Sequence, residues 1–377
     1  MRILLDYRPA LRQRTGVGEY AHELARAVLA TVPAAGEPLL DLVLFSASWK
    51  DRLQSGVLPG AALVDRRLPN QMLNFAWHRL GWPPVETLAP GPFAVAHAFH
   101  PLLIPARRAA QVVTIADLDF LDHPERTDRE IRRDYPALAA AHAKKADHVI
   151  VISEATARET RERLGVPPDR LTVCTPGAPA WPRREREPGD DDGCVLFLGT
   201  LDARKNLGVL LDAYERLLAR GGKVPSLVLA GKPTGDSQAI AARTATGVLA
   251  GHVEMPGYVD DVTRQALYRR ALIFVMPSHT EGFGMPVLEA MTVGVPVVVA
   301  DRGALVEVAP AGVGRAFDPA AADQLAAILS ELLTHSQTRD RMREAGWRQA
   351  ARFSWRTSAE RLRGAWQQAA ARKAARG

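Results

Sequence analysis

The sequence predicts an α/β protein made of two doubly wound domains, each with a parallel sheet covered by helices. The first observation is the length, because 377 residues exceed what one hydrophobic core normally organises. The second is a repeated pattern in which a short run rich in Val, Ile and Leu precedes a helical stretch. The third is a Pro-rich, charged segment between the halves, Thr175 to Gly193, which has no apolar period and is typical of a linker.

The predicted strands fall into two sets, and each strand ends in a small or polar residue. The N-terminal set is RILLD, LDLVLF, VVTIAD and HVIVIS, and the C-terminal set is CVLFLG, SLVLAG, LIFVMP and PVVVAD. Such strands, alternating with helices, build right-handed crossover units. We therefore assign residues 1–180 to an N-terminal Rossmann-like domain and residues 190–356 to a C-terminal one. Segment 357–377, with Leu362 and Trp366 at helical spacing, is expected to form a helix that packs back on the N-terminal domain.

Composition predicts a cytoplasmic globular protein. Hydrophobic residues make up 47% and charged residues 24% of the chain, and Cys174 and Cys194 lie in apolar runs, where buried thiols are expected. The N-terminus lacks the apolar core of a signal peptide, and no apolar run approaches the roughly 18–20 residues of a membrane span. The formal charge of +6 favours anionic partners. No basic run is interleaved with aromatic residues, so nucleic acid is not expected among them.

The stretch HTEGFGMPVLEAMTVGVPVVVAD predicts a strand-loop-helix unit with an anion site. Pro286 suits the start of the helix, and Gly294 suits its end. Free N–H groups from Gly284 to Val287 are expected to hold a phosphate at the helix start. Glu281 and Glu289 flank this point, and carboxylates accept strong hydrogen bonds from sugar hydroxyls. A sugar nucleotide satisfies both kinds of group.

Within this stretch, EGFGMPVLEAMTVGVPVV is similar to the paired-glutamate signature of retaining glycosyltransferases of family 4, which have the GT-B fold. The resemblance is to the mannosyltransferase-like group of that family. Three other stretches resemble the same family: FLGTLDARKNLGVLLDAYERL, PGYVDDVTRQALYRRALIFVMPS and VIVISEATARETRERLGVPPDRLTVCTPGAP. Together they cover most of residues 90–310. The resemblance implies two Rossmann-like domains facing an interdomain cleft. The C-terminal domain then binds a nucleoside-diphosphate sugar, and the N-terminal domain presents an acceptor hydroxyl.

The resemblance also implies roles for particular residues. Arg204 and Lys205 correspond to the basic pair that neutralises the donor diphosphate, although a solvated pair at a helix start is the alternative. Glu289 resembles the ribose ligand and Glu281 the residue near the donor sugar. The expected catalytic residues are Glu281, Arg204, Lys205 and Asp117, and the expected nucleotide-sugar ligands are Gly16, Gly18, Arg204, Lys205, Lys232, the backbone of Phe283 and Gly284, and Glu289.

The loop RTGVGEY has two interpretations. In the family, a glycine-bearing loop here lets amides such as those of Gly16 and Gly18 touch the donor phosphates. The rival is a dinucleotide fingerprint, since Gly16-x-Gly18-x-x-Ala21 fits G-x-G-x-x-A. About nine residues separate the end of the strand from Gly16, where the fingerprint requires a tight turn. The next strand also ends in Ser46 rather than in an acid for a ribose. An NAD-dependent oxidoreductase is therefore only the minor alternative.

The segment VVTIADLDFLDHPE departs from the family pattern, because Ala116 stands where the family has a histidine before Asp117. The absence of this histidine removes a hydrogen-bond partner for the donor sugar or the acceptor. His97 and His100, expected after a strand, are candidates to replace it, and packed or surface roles are the alternatives. Asp117-x-Asp119 mimics a metal-binding D-x-D motif. In the GT-B architecture, however, Arg, Lys and a helix dipole replace metal charge, so neither a metal nor a cofactor is expected.

Aromatic residues are concentrated in LPNQMLNFAWHRLGWPPVETL, residues 68–88. Trp77 and Trp82 lie there with Phe75 and Met72, beside His78 and Arg79. One interpretation is an amphipathic surface for a lipid-linked acceptor or a membrane, and the favoured one is a buried helix.

These observations predict a retaining, metal-independent hexosyltransferase that acts on a glycan or a lipid-linked acceptor. Mannose from GDP-mannose is favoured as the donor from resemblance alone. The expected location is the cytoplasm, with a peripheral contact to the inner membrane face. Because of Ala116, the alternative is a GT-B protein that binds a sugar nucleotide but has lost or altered catalysis.

Overall fold

The structure is a computed structural model that describes residues 1–11, 16–32, 38–126, 134–184 and 192–376. Residues 185–191 of the predicted linker, and Arg14 and Thr15 of the loop RTGVGEY, lie outside the described residues.

The strands are short and mostly apolar. They are β1 (Arg2–Asp6), β2 (Asp41–Ser46), β3 (Ala62–Asp65), β4 (Val95–Ala98), β5 (Ala110–Ile115), β6 (His148–Val151), β7 (Leu171–Val173), β8 (Cys194–Leu198), β9 (Ser226–Ala230), β10 (Val253–Gly257), β11 (Ala271–Met276), β12 (Val297–Ala300) and β13 (Arg315–Phe317). Every run predicted as a strand forms one. The prediction missed β3, β7, β10 and β13, which are short or half-exposed and lack a continuous apolar run, and β4, which contains a histidine.

The helices follow the strands, as the alternating pattern predicts. They are α1 (Val17–Ala30), α2 (Asn70–Phe75), α3 (Asp119–Asp122), α4 (Tyr135–Lys145), α5 (Glu154–Leu164), α6 (Leu207–Ala219), α7 (Ser237–Thr244), α8 (Asp261–Arg270), α9 (Met285–Val293), α10 (Gly303–Val308), α11 (Ala322–Thr334), α12 (Ser336–Ala350) and α13 (Trp355–Arg376). A π-helical turn, Ala76–Leu80, extends α2. Side chains cap the N-termini of α5 and α8: Ser153 accepts from the Thr156 N–H, and Asp260 accepts from the Thr263 N–H.

The chain divides into two compact units. Unit 1 comprises Met1–Gly177 and Ser354–Gly377, and unit 2 comprises Ala178–Phe353. Within the described residues, the sheet of unit 1 has the order β3-β2-β1-β4-β5-β6-β7 and that of unit 2 the order β10-β9-β8-β11-β12-β13. All neighbouring strands are parallel, which confirms the doubly wound α/β class.

Each sheet has a point at which the strand order reverses direction. It lies between β1 and β4 in unit 1 and between β8 and β11 in unit 2. The loops that leave these neighbouring strands diverge to opposite faces of the sheet, so a crevice opens at the carboxyl ends of the strands. The fold therefore draws attention to the loops after β8 and β11 and to the residues after β1 and β4.

Helix α13 belongs to unit 1, where it packs against α1 and against β4, β5, β6 and β7. Leu362 and Trp366 are completely buried. The Trp366 indole N–H points to Nδ1 of His97 at 3.3 Å, and the Ser358 hydroxyl donates to the Thr175 carbonyl at 2.6 Å. The helix is thus an integral part of the core of unit 1.

Cys174 and Cys194 are both buried, as predicted, and neither forms a disulfide. Burial raises the pKa of the Cys174 thiol to about 12, so this side chain is a protonated core residue. None of the described helices combines the length and apolar character that a membrane span requires.

Segment 68–88 differs from the favoured prediction of a buried helix. Leu73 and Trp77 are buried, but Met72, Phe75 and Trp82 are more than half exposed. Only one side of this segment, with Leu73 and Trp77, joins the core of unit 1, where Trp77 packs on Phe45 of β2.

Candidate active site

The candidate site of unit 2 is formed by two loops at the point where the strand order reverses. The β8 loop comprises residues 199–206 and contains a short 3-10 turn, Ala203–Lys205. The β11 loop comprises residues 277–284 and ends where α9 begins. Because β8 and β11 are hydrogen-bonded neighbours, loops that are distant in sequence lie side by side. The His279 N–H donates to the Arg204 carbonyl at 2.9 Å, which joins the two loops directly.

Three charged residues of the predicted site meet across these loops. Nζ of Lys205 donates to Oε1 of Glu281 at 2.5 Å, and a guanidinium nitrogen of Arg204 lies 3.8 Å from Oε2. Lys205 and Glu281 are nearly enclosed, with side-chain exposures of 8% and 10%. The solvated basic pair that we considered as an alternative is therefore wrong for Lys205, whose ammonium is buried against a carboxylate.

The pKa of Glu281 shows which influence dominates. Burial by itself would raise the pKa of this carboxyl group, because desolvation disfavours the charged form. The charges of Lys205 and Arg204, together with hydrogen bonds from Lys205 and Ser278, outweigh that effect and hold the pKa below its usual value. Glu281 is therefore an ionised hydrogen-bond acceptor at neutral pH.

Asn206 fixes the β8 loop, and the sequence analysis did not single it out. Within the described residues it is the non-glycine residue with a positive φ, at 51°. Its side-chain amide donates to the carbonyls of Pro277 and Pro319 at 3.2 and 2.8 Å. An Asn after a basic pair and before a helix is the available signal, because Asn tolerates the left-handed region better than most residues.

Lys232 lies in the loop after β9, next to the β8 loop. Its carbonyl accepts from the Leu201 N–H at 3.0 Å, and its side chain is exposed. The two loops approach closely because Gly231 has φ +149°, and a Cβ there would stand 1.8 Å from the Gly199 carbonyl oxygen. The structure thus places the backbone of Lys232 beside the site but gives its ammonium no partner within the described residues.

Helix α9 begins and ends as predicted. Gly284 caps its N-terminus in the left-handed conformation, Pro286 lies in the first turn, and Gly294 caps the C-terminus with φ +95°. One part of the prediction is wrong: the Val287 N–H already donates to the Gly284 carbonyl at 2.9 Å. The helix start therefore offers an anion the amides that precede Val287. The aromatic ring of Phe283 is buried against Phe353, so only the backbone of Phe283 is placed to meet a ligand.

Glu289 is held by two side chains of α8. Its Oε1 accepts from Arg264 at 3.1 Å and its Oε2 from the Tyr268 hydroxyl at 2.8 Å. The Arg264 guanidinium in turn lies over the Trp181 ring, 5.0 Å from its centroid. Burial and the charge of Glu289 raise the pKa of Tyr268 well above its usual value, so the phenol stays a donor. The sequence analysis did not predict Arg264 and Tyr268, because nothing in their spacing indicates a contact with Glu289 in the next helix.

The predicted glycines of unit 1 surround the start of α1. Gly16 precedes the helix with φ +52°. Gly18 is buried in its first turn, and a Cβ at this position would lie 2.4 Å from the Pro9 carbonyl oxygen. The need for glycine at position 18 thus comes from close packing of α1 against the segment after β1.

Asp117 follows β5 and is half-buried, and its Oδ1 accepts from the Asp119 N–H at 3.2 Å. The expectation that His97 follows a strand is wrong, because His97 lies within β4. There it is completely buried between the Thr114 hydroxyl, at 2.8 Å, and Trp366. Burial lowers its pKa to about 3. His97 is therefore a neutral core residue and cannot replace the missing imidazole at Ala116.

His100 belongs to a polar cluster at the carboxyl ends of β1 and β4, which we call the strand-end cluster and define as Asp6, Arg8, Asn74, His78 and His100. Asp6 is fully buried and accepts from Arg8 at 2.8 and 2.6 Å and from Nε2 of His100 at 3.2 Å. Arg8 also donates to the Asn74 side-chain oxygen at 2.9 Å. Burial opposes ionisation of Asp6, but Arg8 and His100 hold its pKa far below the usual range.

His78 is the unusual member of this cluster. Its side chain is 8% exposed, and within the described residues neither ring nitrogen has a hydrogen-bond partner. Burial, followed by the nearby His100 and Arg8, lowers its pKa to about 3, so the ring is neutral. The residues of the strand-end cluster other than His100 were not predicted, because a carboxylate at a strand end and a histidine within an aromatic run give no specific signal.

Within the described residues there is no group of three or more His, Cys, Asp or Glu side chains that could hold a metal ion.

Comparisons with known proteins identify the family of this chain. Residues 182–349 match the family described as glycosyl transferases group 1, and residues 14–180 match glycosyltransferase family 4. The O-antigen chain mannosyltransferase B of Escherichia coli is 27% identical over 374 residues, which cover 94% of this chain and 96% of that protein. A phosphatidyl-myo-inositol mannosyltransferase of Mycolicibacterium smegmatis is 30% identical, over 71% of this chain and 69% of that protein.

The fold is that of a solved sucrose-phosphate synthase from Thermosynechococcus elongatus, with a TM-score of 0.76 at 18% identity over 97% of this chain and 98% of that one. Two doubly wound sheets, with a basic pair and a helix start at the strand ends of the second, define a glycosyltransferase of the GT-B fold. The chain belongs to glycosyltransferase family 4.

Proposed function

We propose that this protein transfers a hexosyl group, preferably mannosyl, from a nucleoside-diphosphate sugar to a hydroxyl of a glycan or lipid-linked acceptor. The reaction proceeds with retention of configuration and without a metal ion. Unit 2 binds the donor, and unit 1 presents the acceptor hydroxyl. The protein works in the cytoplasm, peripherally at the inner membrane face.

The observation that carries this proposal is the contact of Arg204 and Lys205 with Glu281 beside the start of α9. Two cations and the backbone amides around Gly284 offer a diphosphate both positive charge and hydrogen-bond donors. In the transfer step negative charge develops on the departing diphosphate, and preorganised positive groups lower the barrier most when they face that charge. Arg204 and Lys205 supply the charge that a divalent cation provides elsewhere.

Glu281 then acts on the donor sugar by hydrogen bonding. Its lowered pKa makes it a poor proton carrier at neutral pH, and an ionised carboxylate is a strong acceptor for sugar hydroxyls. The proton of the acceptor hydroxyl passes to the oxygen of the departing phosphate, and attack takes place on the face that the phosphate leaves. Glu289, oriented by Tyr268 and Arg264, accepts from the ribose hydroxyls.

The preference for mannose rests on the relatives. Both relatives described above are named as mannosyltransferases, and one of the names includes phosphatidyl-myo-inositol, a lipid acceptor. GDP-mannose is therefore the first donor to test, and a polyol or sugar attached to a lipid is the first acceptor class.

The test is a panel of sugar nucleotides measured by titration calorimetry and by release of nucleoside diphosphate, in the presence of a chelator. Wild type is compared with Glu289→Ala and with Glu307→Ala as a control on the neighbouring helix. The proposal is supported if one sugar nucleotide binds to wild type and nucleoside diphosphate is slowly released from it. The affinity should fall about tenfold or more in Glu289→Ala and stay unchanged in Glu307→Ala. If no member of the panel binds, the assignment of the site is wrong.

Ala116 supports a second candidate, a protein that binds the donor without transferring it. His97 lies in the core against the Thr114 hydroxyl, and His100 is engaged with Asp6, so neither candidate replaces the missing imidazole. Binding without diphosphate release, even with acceptors present, would favour this candidate. No observation favours the oxidoreductase, because the buried Ser46 ends β2 where a dinucleotide site needs an acid.

A further inference from the structure

Trp181 is a half-buried aromatic residue within the stretch that the sequence predicts as a linker, and the structure assigns it to unit 2. We call residues 178–184, where unit 2 begins, the entry segment. The Trp181 indole packs against two residues of α8. The Arg264 guanidinium lies over the ring, 5.0 Å from its centroid, and the Tyr268 ring lies at a centroid distance of 5.9 Å. Part of the predicted linker is therefore packed on a helix of unit 2.

The same two residues of α8 hold the carboxylate of Glu289. The Arg264 guanidinium donates to Oε1 at 3.1 Å, and the Tyr268 hydroxyl donates to Oε2 at 2.8 Å. The side chains of Arg264 and Glu289 are 15% and 8% exposed, so the contact is largely enclosed. A single indole ring thus packs against the donors of both carboxylate oxygens.

Arg264 has a second carboxylate within reach. One of its guanidinium nitrogens lies 3.0 Å from Oδ1 of Asp261, whose side chain is 79% exposed. A planar guanidinium stacks on aromatic faces, and a cation within about 6 Å of a ring centroid is attracted to the ring. The Trp181 ring therefore favours the enclosed position of the guanidinium, against Glu289. Without the ring, solvent and Asp261 compete for the same cation.

The entry segment is itself attached to unit 2 on both sides of Trp181. Before it, the Ala178 N–H donates to the Phe353 carbonyl at 3.0 Å, and after it, the Arg184 N–H donates to the Val293 carbonyl at 2.9 Å. The residue directly after Trp181 is a proline, which restricts the tryptophan backbone to extended conformations. These constraints fix the place of the indole before any ligand binds.

We propose that Trp181 is a positioning residue for the donor: through Arg264 and Tyr268 it keeps Glu289 in the orientation that accepts from the ribose hydroxyls. The inference rests on the proposed function, in which Glu289 binds the ribose. A carboxylate that is already oriented loses less conformational freedom when the ligand arrives, so the affinity is higher. The effect of Trp181 is therefore confined to the part of the affinity that the ribose hydroxyls provide.

The experiment is titration calorimetry of the full chain with GDP and with UDP, each compared with its 2′,3′-dideoxy form, which lacks the two hydroxyls. Trp181→Leu is expected to lower the affinity for the ribose form about fivefold and to leave the affinity for the dideoxy form unchanged. Trp181→Phe keeps an aromatic face and should stay within about twofold of wild type. Trp181→Gln, which suits a half-buried position, is made as a second variant with the same expectation as Trp181→Leu.

Two further proteins control for a merely structural effect. Trp347→Leu is the matched control, because Trp347 is also a half-buried tryptophan of unit 2, with the Arg183 guanidinium 4.8 Å from its ring centroid. It should bind both forms of the nucleotide like wild type. In Glu289→Ala, the additional substitution Trp181→Leu should change nothing, since its effect acts through the carboxylate that is already removed.

Thermal melts establish that each variant is folded. A loss that is specific to the ribose form and disappears in Glu289→Ala supports the proposal. An equal loss for the ribose and dideoxy forms would show a general loosening of unit 2 and overturn it. If Glu289→Ala weakens binding but Trp181→Leu and Trp181→Gln bind like wild type, the inference alone fails and the proposed function stands. If wild type binds neither GDP nor UDP, the proposed function fails, and the inference fails with it.

Discussion

The buried contact between Lys205 and Glu281 allows a quantitative test of the site, by the substitution Lys205→Met. At 2.5 Å the attraction between the two charges is about 7 kcal/mol for an effective dielectric constant of about 20. Removing both ions from water costs several kcal/mol each, so the intact pair contributes about as much to the free energy of unfolding as an apolar pair of the same shape would. Removing only Lys205 is different, because Glu281 then stays buried with Arg204 as its remaining cation, at 3.8 Å.

The cost of that single substitution has a ceiling set by protonation. Glu281 can escape by taking up a proton, which costs about 3.4 kcal/mol at pH 7 for a carboxyl group with an ordinary pKa of 4.5. The same escape costs about 1.4 kcal/mol at pH 5.5. We therefore expect Lys205→Met to lower the free energy of unfolding by up to about 3 kcal/mol at pH 7 and by less than half of that at pH 5.5.

The assay is urea unfolding of four proteins at both pH values: wild type, Lys205→Met, Glu281→Gln and the double variant. Donor affinity is measured by calorimetry on the same samples. The double variant should recover most of the lost stability, because no buried charge is left without its partner, but none of the donor affinity. A destabilisation that is independent of pH, or a double variant as unstable as the two single losses added together, would refute the reasoning.

Three further predictions concern other parts of the chain. Burial keeps His78 neutral in the folded protein with a pKa of about 3, whereas the unfolded side chain binds a proton below about pH 6.5. Protonation therefore favours the unfolded chain, and stability is lost as the pH falls from 6.5 towards 3. In urea unfolding at pH 7.5 and at pH 5, His78→Phe should remove about 2 kcal/mol of the stability difference between the two pH values, and an unchanged difference would contradict this. Tyr268→Phe removes one of the donors that orient Glu289 and should weaken donor binding about tenfold in calorimetry. It should also lower the free energy of unfolding by about 1–3 kcal/mol, because a buried carboxylate oxygen loses this donor. An unchanged affinity would mean that Glu289 does not hold the ribose. Gly231→Ala should lower the free energy of unfolding by about 3 kcal/mol or more, because its Cβ would overlap the Gly199 carbonyl. Gly235→Ala is the control: a Cβ there meets open space, so the free energy of unfolding should hardly change.

The sequence predicted those parts of the site that depend on local geometry. Pro286 and Gly294 bound α9 because their backbone preferences act within the helix itself. The contact of Lys205 with Glu281 spans 76 positions and exists because β8 and β11 are neighbours. No residue pattern predicts that β8 and β11 are neighbouring strands. The expectation that Lys205 and Glu281 share a site came from the family resemblance.

Other features were out of reach for a physical reason. The edge strands β3 and β10 are half-exposed, so they lack the apolar run that identifies a buried strand. The short β4 contains His97, and its burial depends on Trp366 from the far end of the chain. Likewise, Arg264 and Tyr268 orient Glu289 only once α8 packs beside α9.

The position of α13 has a consequence for how the protein is made. Unit 1 begins with Met1, yet its core contains Leu362 and Trp366, which leave the ribosome only after all of unit 2. Domains generally fold as they emerge, so unit 2, a continuous segment, can complete its core first. Until α13 arrives, the nascent chain carries an unfinished first domain with an uncovered apolar face. The interval between synthesis of Gly177 and synthesis of Trp366 is therefore when this chain is most open to aggregation and most dependent on chaperones.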